Sequence, residues 1–270
     1  MEIKHRECFC PAFIDRFDLQ GVARYAREAW DFVNLHSQSR GCNRFIALIL
    51  TLDLLRVRRE VRERGAAIPG VETLRDWVGR ESALGQPALE AEIVRRGEAV
   101  EDTAELRRAL LWSIDVNAAV EKIVRNISPF PLVREVLAAA GERAELRVVS
   151  QTPRTVIERE WREGGILPLV EGILGQEEGS KKRQLETAAL HNYDKRRVLM
   201  VGDTLGDLEA ARANHVLFFP ILPGQERESW LLFHVEALER FFEGRYAGKY
   251  EESLVEAFEA GLPDSPPWLI

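Results

Sequence analysis

Short β-type runs alternate with helical segments between residues 129 and 220, and this alternation restricts the fold more than any other feature. The β-type runs cover 145–149, 167–174, 198–201 and 216–220. Helical segments fill the intervals, at 131–140, 154–163, 181–192 and 207–214. Such alternation is typical of βαβ units, whose strands form a parallel sheet. We therefore predict a doubly wound, parallel-sheet α/β core over residues 127–223.

The remainder of the chain has helical patterning. Apolar residues recur at helical spacing from 18 to 126, without a convincing strand, which predicts an all-helical domain over these residues. Residues 1–17 are interpreted as a linker or the start of the core. Residues 224–270 are predicted to form a helical extension that packs on the core, because their many aromatic side chains would be a liability if exposed.

Charge and cysteine content exclude several classes of protein. The net charge is -7, from 44 acidic and 37 basic residues, which argues against a nucleic-acid binder. An odd number of cysteines, with Cys8 and Cys10 lacking partners at ligand spacing, argues against a disulfide scaffold and a zinc site. No apolar run reaches the roughly 20 residues that span a bilayer. We expect a cytoplasmic protein with neither membrane nor nucleic-acid partners.

Two predicted strands end in polar residues that could bind a ligand. Ser150 and Gln151 directly follow the run RVV. Ligands of open parallel sheets bind at the carboxyl ends of the strands, and a hydroxyl with nearby backbone N–H groups can hold a phosphate oxygen. The alternative is that Ser150 only shapes a turn or caps the next helix.

The run VLMVGDTLGD, residues 198–207, places Asp203 and Asp207 just beyond a buried strand. Two carboxylates on one turn repel each other, so a divalent cation is a natural reason to collect them. Oxygen ligands of this kind suit Mg²⁺. The alternative is an aspartate that caps the helix beginning near Asp207.

Lys181 and Lys182 open the helix that precedes this strand. A lysine at a helix N-terminus opposes the helix dipole, so a neighbouring phosphate or carboxylate would explain its position. The alternative is a pair of ordinary surface lysines.

Taken in order, Ser150 after a strand, Lys181 before a helix and GDTLGD after the next strand resemble the haloacid dehalogenase superfamily. The resemblance covers roughly residues 129–222, and NLHSQSRGCNRF, residues 34–45, resembles a cap segment of one hydrolase subgroup. It implies a Rossmann-like core with a helical cap, and a magnesium-dependent phosphatase acting on a small phosphorylated metabolite. The implied roles are as follows: phosphate binding by Ser150, Gln151, Lys181 and Lys182; magnesium binding by Asp203 and Asp207; substrate contact by Arg40, Asn43 and Arg44 of the cap. For the three cap residues, the alternative is a solvated loop between two helices.

The family's nucleophile, the first aspartate of an Asp-x-Asp motif after the first strand, has no counterpart in this sequence. Asp15 and Asp18 have the wrong spacing, and Asp115 lies within a helical pattern. We therefore expect that the chain begins after the motif, lacks the central strand as well, and has negligible phosphatase activity. The alternative is a non-catalytic binding or regulatory protein of the same fold. A dehalogenase of this superfamily needs no metal, so the intact acidic run GDTLGD argues against that function. A phosphonate-cleaving member would use a Schiff-base lysine from the cap. The only lysine from residue 6 to residue 180 is Lys122, which resembles an ordinary surface residue, so this function is disfavoured.

Overall fold

The structure is a computed structural model that describes residues 1–269. It divides into two compact units, which we call the helical unit (residues 1–124 and the segment from Pro263 onward) and the α/β unit (Arg125–Leu262). No described helix is long and apolar enough to cross a membrane. All three cysteines are free thiols, and Cys8 and Cys10 are buried.

The helical unit contains seven α-helices and no strand within the described residues. They are α1 (Cys10–Arg16), α2 (Ala23–Asp31), α3 (Arg44–Val57), α4 (Arg59–Glu63), α5 (Glu72–Arg80), α6 (Gln86–Glu98) and α7 (Ala104–Ile123), with π-helical turns at Lys4–Phe9 and Phe32–His36. Trp30 and Trp112 are fully buried at its centre, with their rings 5.8 Å apart in an edge-to-face arrangement. Large aromatic side chains of this kind dominate the energetics of a core.

Both ends of the described chain belong to the helical unit. The sequence assigned residues 1–17 to a linker or the start of the core, yet Phe13 and Phe17 are buried in the helical core. Trp268 lies against the same core, its ring 5.8 Å from that of Phe32. The sequence assigned all of residues 224–270 to an extension on the α/β core. The residues after Leu262 instead group with the helical unit, because Trp268 packs on its helices.

His5 is half-buried in the helical unit. Its Nδ1 atom is enclosed and has no hydrogen-bond partner among the described residues, and its ring stacks on Phe9 at 4.9 Å. Burial lowers the pKa of His5 to about 3. The folded protein thus keeps the imidazole neutral over a pH range in which the unfolded chain binds a proton.

A pH dependence of stability follows from the lowered pKa of His5. The contribution of the neutral imidazole is fully present above pH 6.5 and is lost as the pH falls toward 3. Between pH 6.5 and pH 3, the free energy of unfolding should fall more steeply with decreasing pH for the wild type than for His5→Phe. The difference between the two slopes should reach up to about 1.4 kcal/mol per pH unit. Urea denaturation at several pH values, followed by tryptophan fluorescence, measures this difference. His191→Phe, at an exposed histidine, is the control and should follow the wild type; equal slopes for wild type and His5→Phe would contradict the prediction.

The α/β unit contains four short strands and seven α-helices. They follow the order α8 (Val133–Gly141), β1 (Arg147–Val149), α9 (Arg154–Glu163), β2 (Gly172–Leu174), α10 (Lys181–Leu185), β3 (Leu199–Gly202), α11 (Leu205–Asn214), β4 (Leu217–Pro220), α12 (Glu226–Leu232), α13 (Leu238–Phe242) and α14 (Lys249–Ala260). The predicted strand–helix alternation is therefore present.

The sheet differs from the prediction of one doubly wound sheet. β1 pairs in parallel with β2, starting at Arg147 opposite Gly172, and β3 pairs in parallel with β4, starting at Leu199 opposite Leu217. Within residues 1–269 these are two separate two-stranded sheets. A cavity of about 1350 Å³ is lined by every residue of β1 and of β3. The physical reason for the division is that no described segment lies between β1 and β3 to join them.

The helices after β4 pack on the rest of the α/β unit, which accounts for their aromatic content. The ring of Phe233 lies 4.7 Å from that of Phe219, and the Tyr246 hydroxyl donates a 2.7 Å hydrogen bond to the carbonyl oxygen of Phe218. Tyr246 is fully buried, and burial raises the pKa of its hydroxyl well above the usual range. These contacts hold β4 in position from the side away from β3.

Candidate functional site

The short helix α10 connects the carboxyl ends of three strands. The buried amide group of Gln184 donates to the carbonyl oxygens of Ser150, just after β1, at 2.9 Å, and of Gly175, just after β2, at 2.5 Å. Three residues earlier on the same helix, the Lys181 ammonium lies 2.5 Å from Oδ1 of Asp207, in the first turn of α11, the helix that follows β3. The ends of β1, β2 and β3 therefore meet at one edge, as expected for a ligand site in a parallel α/β unit.

The turn after β3 is organised around Asp207, which is buried. Asp207 Oδ2 accepts hydrogen bonds from the Thr204 hydroxyl at 2.7 Å and from the backbone N–H groups of Thr204 at 3.1 Å and Asp203 at 3.2 Å. In return, Thr204 Oγ1 accepts from the Asp207 N–H at 3.2 Å, so Thr204 caps α11 in a reciprocal capping box. These contacts agree with the alternative prediction, in which the aspartate belongs to a helix cap.

Gly202 is required for this turn. A Cβ atom at position 202 would lie 2.5 Å from the Asp207 Cβ and 2.8 Å from its Oδ2, closer than non-bonded atoms approach. Only glycine allows the backbone at the end of β3 to pass so close to the carboxylate.

Lys181, rather than Lys182, faces this turn. The Lys181 ammonium contacts Asp207 at 2.5 Å and the Thr204 hydroxyl at 3.5 Å, and its side chain is 23% exposed. Lys182 is exposed and contributes only its carbonyl oxygen, which accepts from the Asn214 side chain at 3.0 Å. The ion pair between Lys181 and Asp207 offsets the charge of a buried carboxylate, which would be costly without a partner.

Ser150 and Gln151 make local contacts at the same edge. Ser150 Oγ accepts a 3.1 Å hydrogen bond from the Thr152 N–H, and the Gln151 amide group donates to the Gly179 carbonyl at 2.9 Å. A serine hydroxyl that accepts one hydrogen bond still has its own proton to donate. Ser150 can therefore shape its turn and also donate to an anion, whereas the amide nitrogen of Gln151 already bonds to the loop before α10.

Asp203 and Asp207 could supply only part of the coordination of a magnesium ion. Mg²⁺ takes an octahedral set of oxygen ligands, and waters and substrate phosphates usually complete a set of one or two carboxylates. Both oxygens of Asp207 already accept hydrogen bonds or an ion pair, and no cluster of three histidine, cysteine or acidic side chains with metal-binding geometry occurs in the described chain. The magnesium roles of Asp203 and Asp207 stay a prediction, and no step below depends on a metal.

The three cap candidates lie in the helical unit and are held by contacts within it. Arg40 is buried and donates to the Leu35 carbonyl oxygen at 2.9 Å. Asn43 caps α3 by accepting from the Phe45 N–H at 2.9 Å. The Arg44 guanidinium donates to Ser113 Oγ and Asn117 Oδ1 on α7 at 3.0 and 2.8 Å, and burial lowers its pKa. These contacts support the helical unit, and their role toward a substrate stays a prediction.

None of the three aspartates considered as a nucleophile follows a strand. Asp115 lies inside α7 and pairs with Arg16 at 2.5 Å, Asp15 lies in α1, and Asp18 adopts a positive φ of 55° after that helix. At the carboxyl ends of the four strands, the residues that follow are Ser150, Gly175, Asp203 and Ile221. The first-strand carboxylate of the family thus has no equivalent among the described residues.

Sequence reasoning missed Gln184, Thr204 and the role of Gly202. The spacing of Thr204 and Asp207 is that of a capping box and could have been recognised. Gln184 follows Lys181 by three residues, on the same helix face, but nothing in the sequence indicates which carbonyl groups its amide reaches.

Comparison with known families gives a match for the haloacid dehalogenase-like hydrolases over residues 96–220. The searches of curated proteins and of solved structures gave no match. The resemblance identified from Ser150, Lys181 and GDTLGD is thereby confirmed over this segment, which contains all of them.

Proposed function

We propose that the haloacid dehalogenase-like hydrolase segment at residues 96–220 contains the phosphoryl-binding site of a phosphatase-type protein whose ligand is a small phosphorylated metabolite. The observation that carries this proposal is the position of Lys181. Its ammonium contacts Asp207 and Thr204. Three residues later on the same helix, the Gln184 side chain donates to the carbonyl oxygen of Ser150. A cationic donor, the Lys181 ammonium, and a hydroxyl donor, Ser150, thus lie at the carboxyl ends of the strands, where ligands of parallel sheets bind.

The chemistry of these groups suits a phosphate monoester. An ammonium has three N–H donors, and contacts with Asp207 and Thr204 engage two of them. The remaining N–H and the Ser150 hydroxyl can donate to phosphoryl oxygens, and charge-assisted hydrogen bonds of this kind are about twice as strong as neutral ones. Family resemblance assigns the same two residues to phosphate binding.

We propose further that the 270-residue polypeptide binds a phosphoryl group without hydrolysing it. A nucleophilic carboxylate would have to lie within reach of the phosphorus atom, and the sequence contains no Asp-x-Asp motif. Asp207 braces its turn, with both oxygens engaged, and so is not an attacking group. Binding and orientation are the functions that the present residues support.

Titration with inorganic phosphate tests the assignment. We expect Lys181→Met to bind phosphate at least about tenfold more weakly than the wild type, since a charge-assisted donor is removed. Lys182→Met is the matched control and should bind as the wild type does, because the Lys182 side chain is exposed. Isothermal titration calorimetry measures the affinity, and far-UV circular dichroism verifies that each variant is folded. Equal affinity for the two variants would refute the role of Lys181.

A phosphatase assay with p-nitrophenyl phosphate, in the presence and absence of Mg²⁺, tests the second part. We expect no turnover above the buffer rate. Robust turnover that Lys181→Met abolishes would overturn the proposal of binding without hydrolysis while supporting the site itself. Phosphate binding without turnover under both conditions would support the second candidate, a non-catalytic binding or regulatory protein; turnover under either condition would exclude it.

A further inference from the structure

Arg44, the first residue of α3, carries a charge that no acidic side chain balances. Its Nη1 group donates to Ser113 Oγ at 3.0 Å and to Asn117 Oδ1 at 2.8 Å, both of them neutral acceptors on α7. No carboxylate forms an ion pair with Arg44 within residues 1–269, and burial lowers the pKa of its guanidinium. By contrast, Arg95 donates to Glu92, and those hydrogen bonds raise the pKa of Arg95.

The position of Arg44 makes this charge unfavourable in the free protein. Its guanidinium is partly removed from water without an anionic partner that would offset the lost hydration. It also lies in the first turn of a 14-residue helix, where the helix dipole already places partial positive charge. Arg58, a buried arginine of the same unit, instead pairs with Glu28 and Glu60. The missing partner of Arg44 is therefore expected to be an anion from outside the chain.

The Arg44 guanidinium is held in one orientation, with one edge open. Nη1 is fixed by its acceptors on α7, and the ring of Phe9 lies against the guanidinium, with its centroid 5.1 Å from Arg44 Cζ. Asn117 is held in turn, because its amide group donates to Gln86 Oε1 at 3.2 Å. The Nε and Nη2 groups of Arg44 have no acceptor among the described residues and are not enclosed. Together they form the two-pronged edge that a carboxylate engages with both of its oxygens.

The surroundings of this open edge favour an anion. His5 belongs to the same aromatic cluster, and the charged groups that lower its pKa, after burial, are positive, with Arg40 and Arg44 among them. One carboxylate is reached through the hydrogen-bond network: Glu90 accepts from the Gln86 amide group at 3.1 Å, and not from Arg44. An anion that approaches Nε and Nη2 therefore does not displace a carboxylate of the chain.

We propose that Arg44 anchors a carboxylate-binding site in the helical unit, in which Nε and Nη2 donate to the two oxygens of one ligand carboxylate. A singly charged carboxylate matches the single positive charge and the two free donor groups. A phosphate dianion has more charge and more acceptor oxygens than one guanidinium edge satisfies. The site lies within the helical unit and does not depend on phosphate binding near Lys181.

Thermal unfolding of the full 270-residue chain in acetate tests the site. Sodium acetate is compared with sodium chloride at equal ionic strength and pH, and tryptophan fluorescence follows unfolding, with Trp30 and Trp112 in the helical core. We expect acetate to raise the midpoint of the wild type by about 2–4 °C, since a ligand that binds only the folded state stabilises it. R44L should lose this shift. R44K keeps the charge without the two-pronged edge and should show less than about half of the shift.

Two control variants should keep the full shift. R108L removes a half-buried arginine that also lies over a phenylalanine ring, with Cζ 5.8 Å from the Phe17 centroid. K181M removes the cation of the proposed phosphate site. An equal shift in R44L and wild type would show a general effect of acetate and overturn the proposal, and loss of the shift in K181M would do so by placing acetate at the other site. In K181M, a shift from inorganic phosphate as large as that from acetate would overturn the carboxylate assignment.

Chemical modification of the wild type tests the same site without a variant, and so covers the case in which R44L does not fold. Phenylglyoxal reacts with accessible guanidinium groups, and peptide mapping by mass spectrometry gives the rate at each arginine. We expect acetate, compared with chloride, to slow modification of Arg44 at least about threefold, because bound carboxylate covers its open edge. Arg227, which is exposed, is the internal control and should react at an unchanged rate. No slowing at Arg44, or equal slowing at both arginines, would overturn the proposal.

Discussion

Replacing Gly202 with alanine is expected to destabilise the α/β unit by about 3 kcal/mol, the upper end of the usual cost of overpacking a closed site. The added methyl group would lie 2.5 Å from the Asp207 Cβ and 2.6 Å from its Cγ. Asp207 has little freedom to move away, because its carboxylate is bonded to Lys181, Thr204 and the backbone of the turn. Either β3 shifts or these contacts break, and both outcomes damage the strand edge that carries the site.

Gly206 provides the control within the same turn. Its nearest neighbour to an added Cβ is Thr204 Oγ1 at 3.7 Å, an ordinary contact, and it lies in the first turn of α11. Gly206→Ala should therefore leave stability unchanged or raise it by up to about 1 kcal/mol, because alanine favours a helix. Urea denaturation of both variants, followed by circular dichroism, measures the difference. If Gly202→Ala were as stable as Gly206→Ala, the close approach of residue 202 to Asp207 would be incorrect.

The second large effect is expected for Asp207→Asn, at about 3–5 kcal/mol of destabilisation, as for removal of one partner of a buried ion pair. The side chain of Asp207 is 7% exposed, and its two oxygens accept from four donors. An asparagine has one oxygen and one NH₂ group, so its NH₂ would face either the Lys181 ammonium or the N–H groups of the turn. Donor groups would then oppose each other in a buried position.

A double-mutant cycle with Lys181→Met separates the ion pair from the capping contacts. We expect the double variant to be more stable than the sum of the two single effects predicts by at least about 1 kcal/mol, because contacting residues couple by 0.5–3 kcal/mol. Equilibrium unfolding of the four proteins gives this coupling energy. Additive effects would show that the 2.5 Å contact between Lys181 and Asp207 contributes nothing to stability.

The local elements of the α/β unit could be predicted from the sequence because they depend on short-range patterns. The run RVV before Ser150 forms β1, and the predicted helix at 154–163 has the bounds of α9. Apolar runs of branched residues and helical periodicity report such elements directly. The site residues at the strand ends follow from the same reasoning, since parallel strands bring their carboxyl ends to one edge.

Other features depend on contacts between distant residues and could not be predicted. The choice between Lys181 and Lys182 depends on how α10 is rotated toward the turn at Asp207, and both lysines have the same local sequence environment. The division into two sheets is also non-local, because it depends on what lies between β1 and β3 rather than on either strand. Asp203 and Asp207 suggested a metal site by their spacing, whereas the hydrogen bonds of Asp207 emerge only from the folded turn.

The pairing of strands that are neighbours along the chain has a consequence for the order of folding. β1 and β2 are joined through α9, and β3 and β4 through α11, so each sheet is a complete βαβ module that closes over a short stretch of chain. Contacts between residues close in sequence form early, because little loop entropy is lost. We therefore expect the contacts within each module to form before the contacts that join the two. Their joining waits for α10, a helix of five residues too short to be stable alone, which acquires its structure only when Gln184 and Lys181 find their partners on the two finished modules.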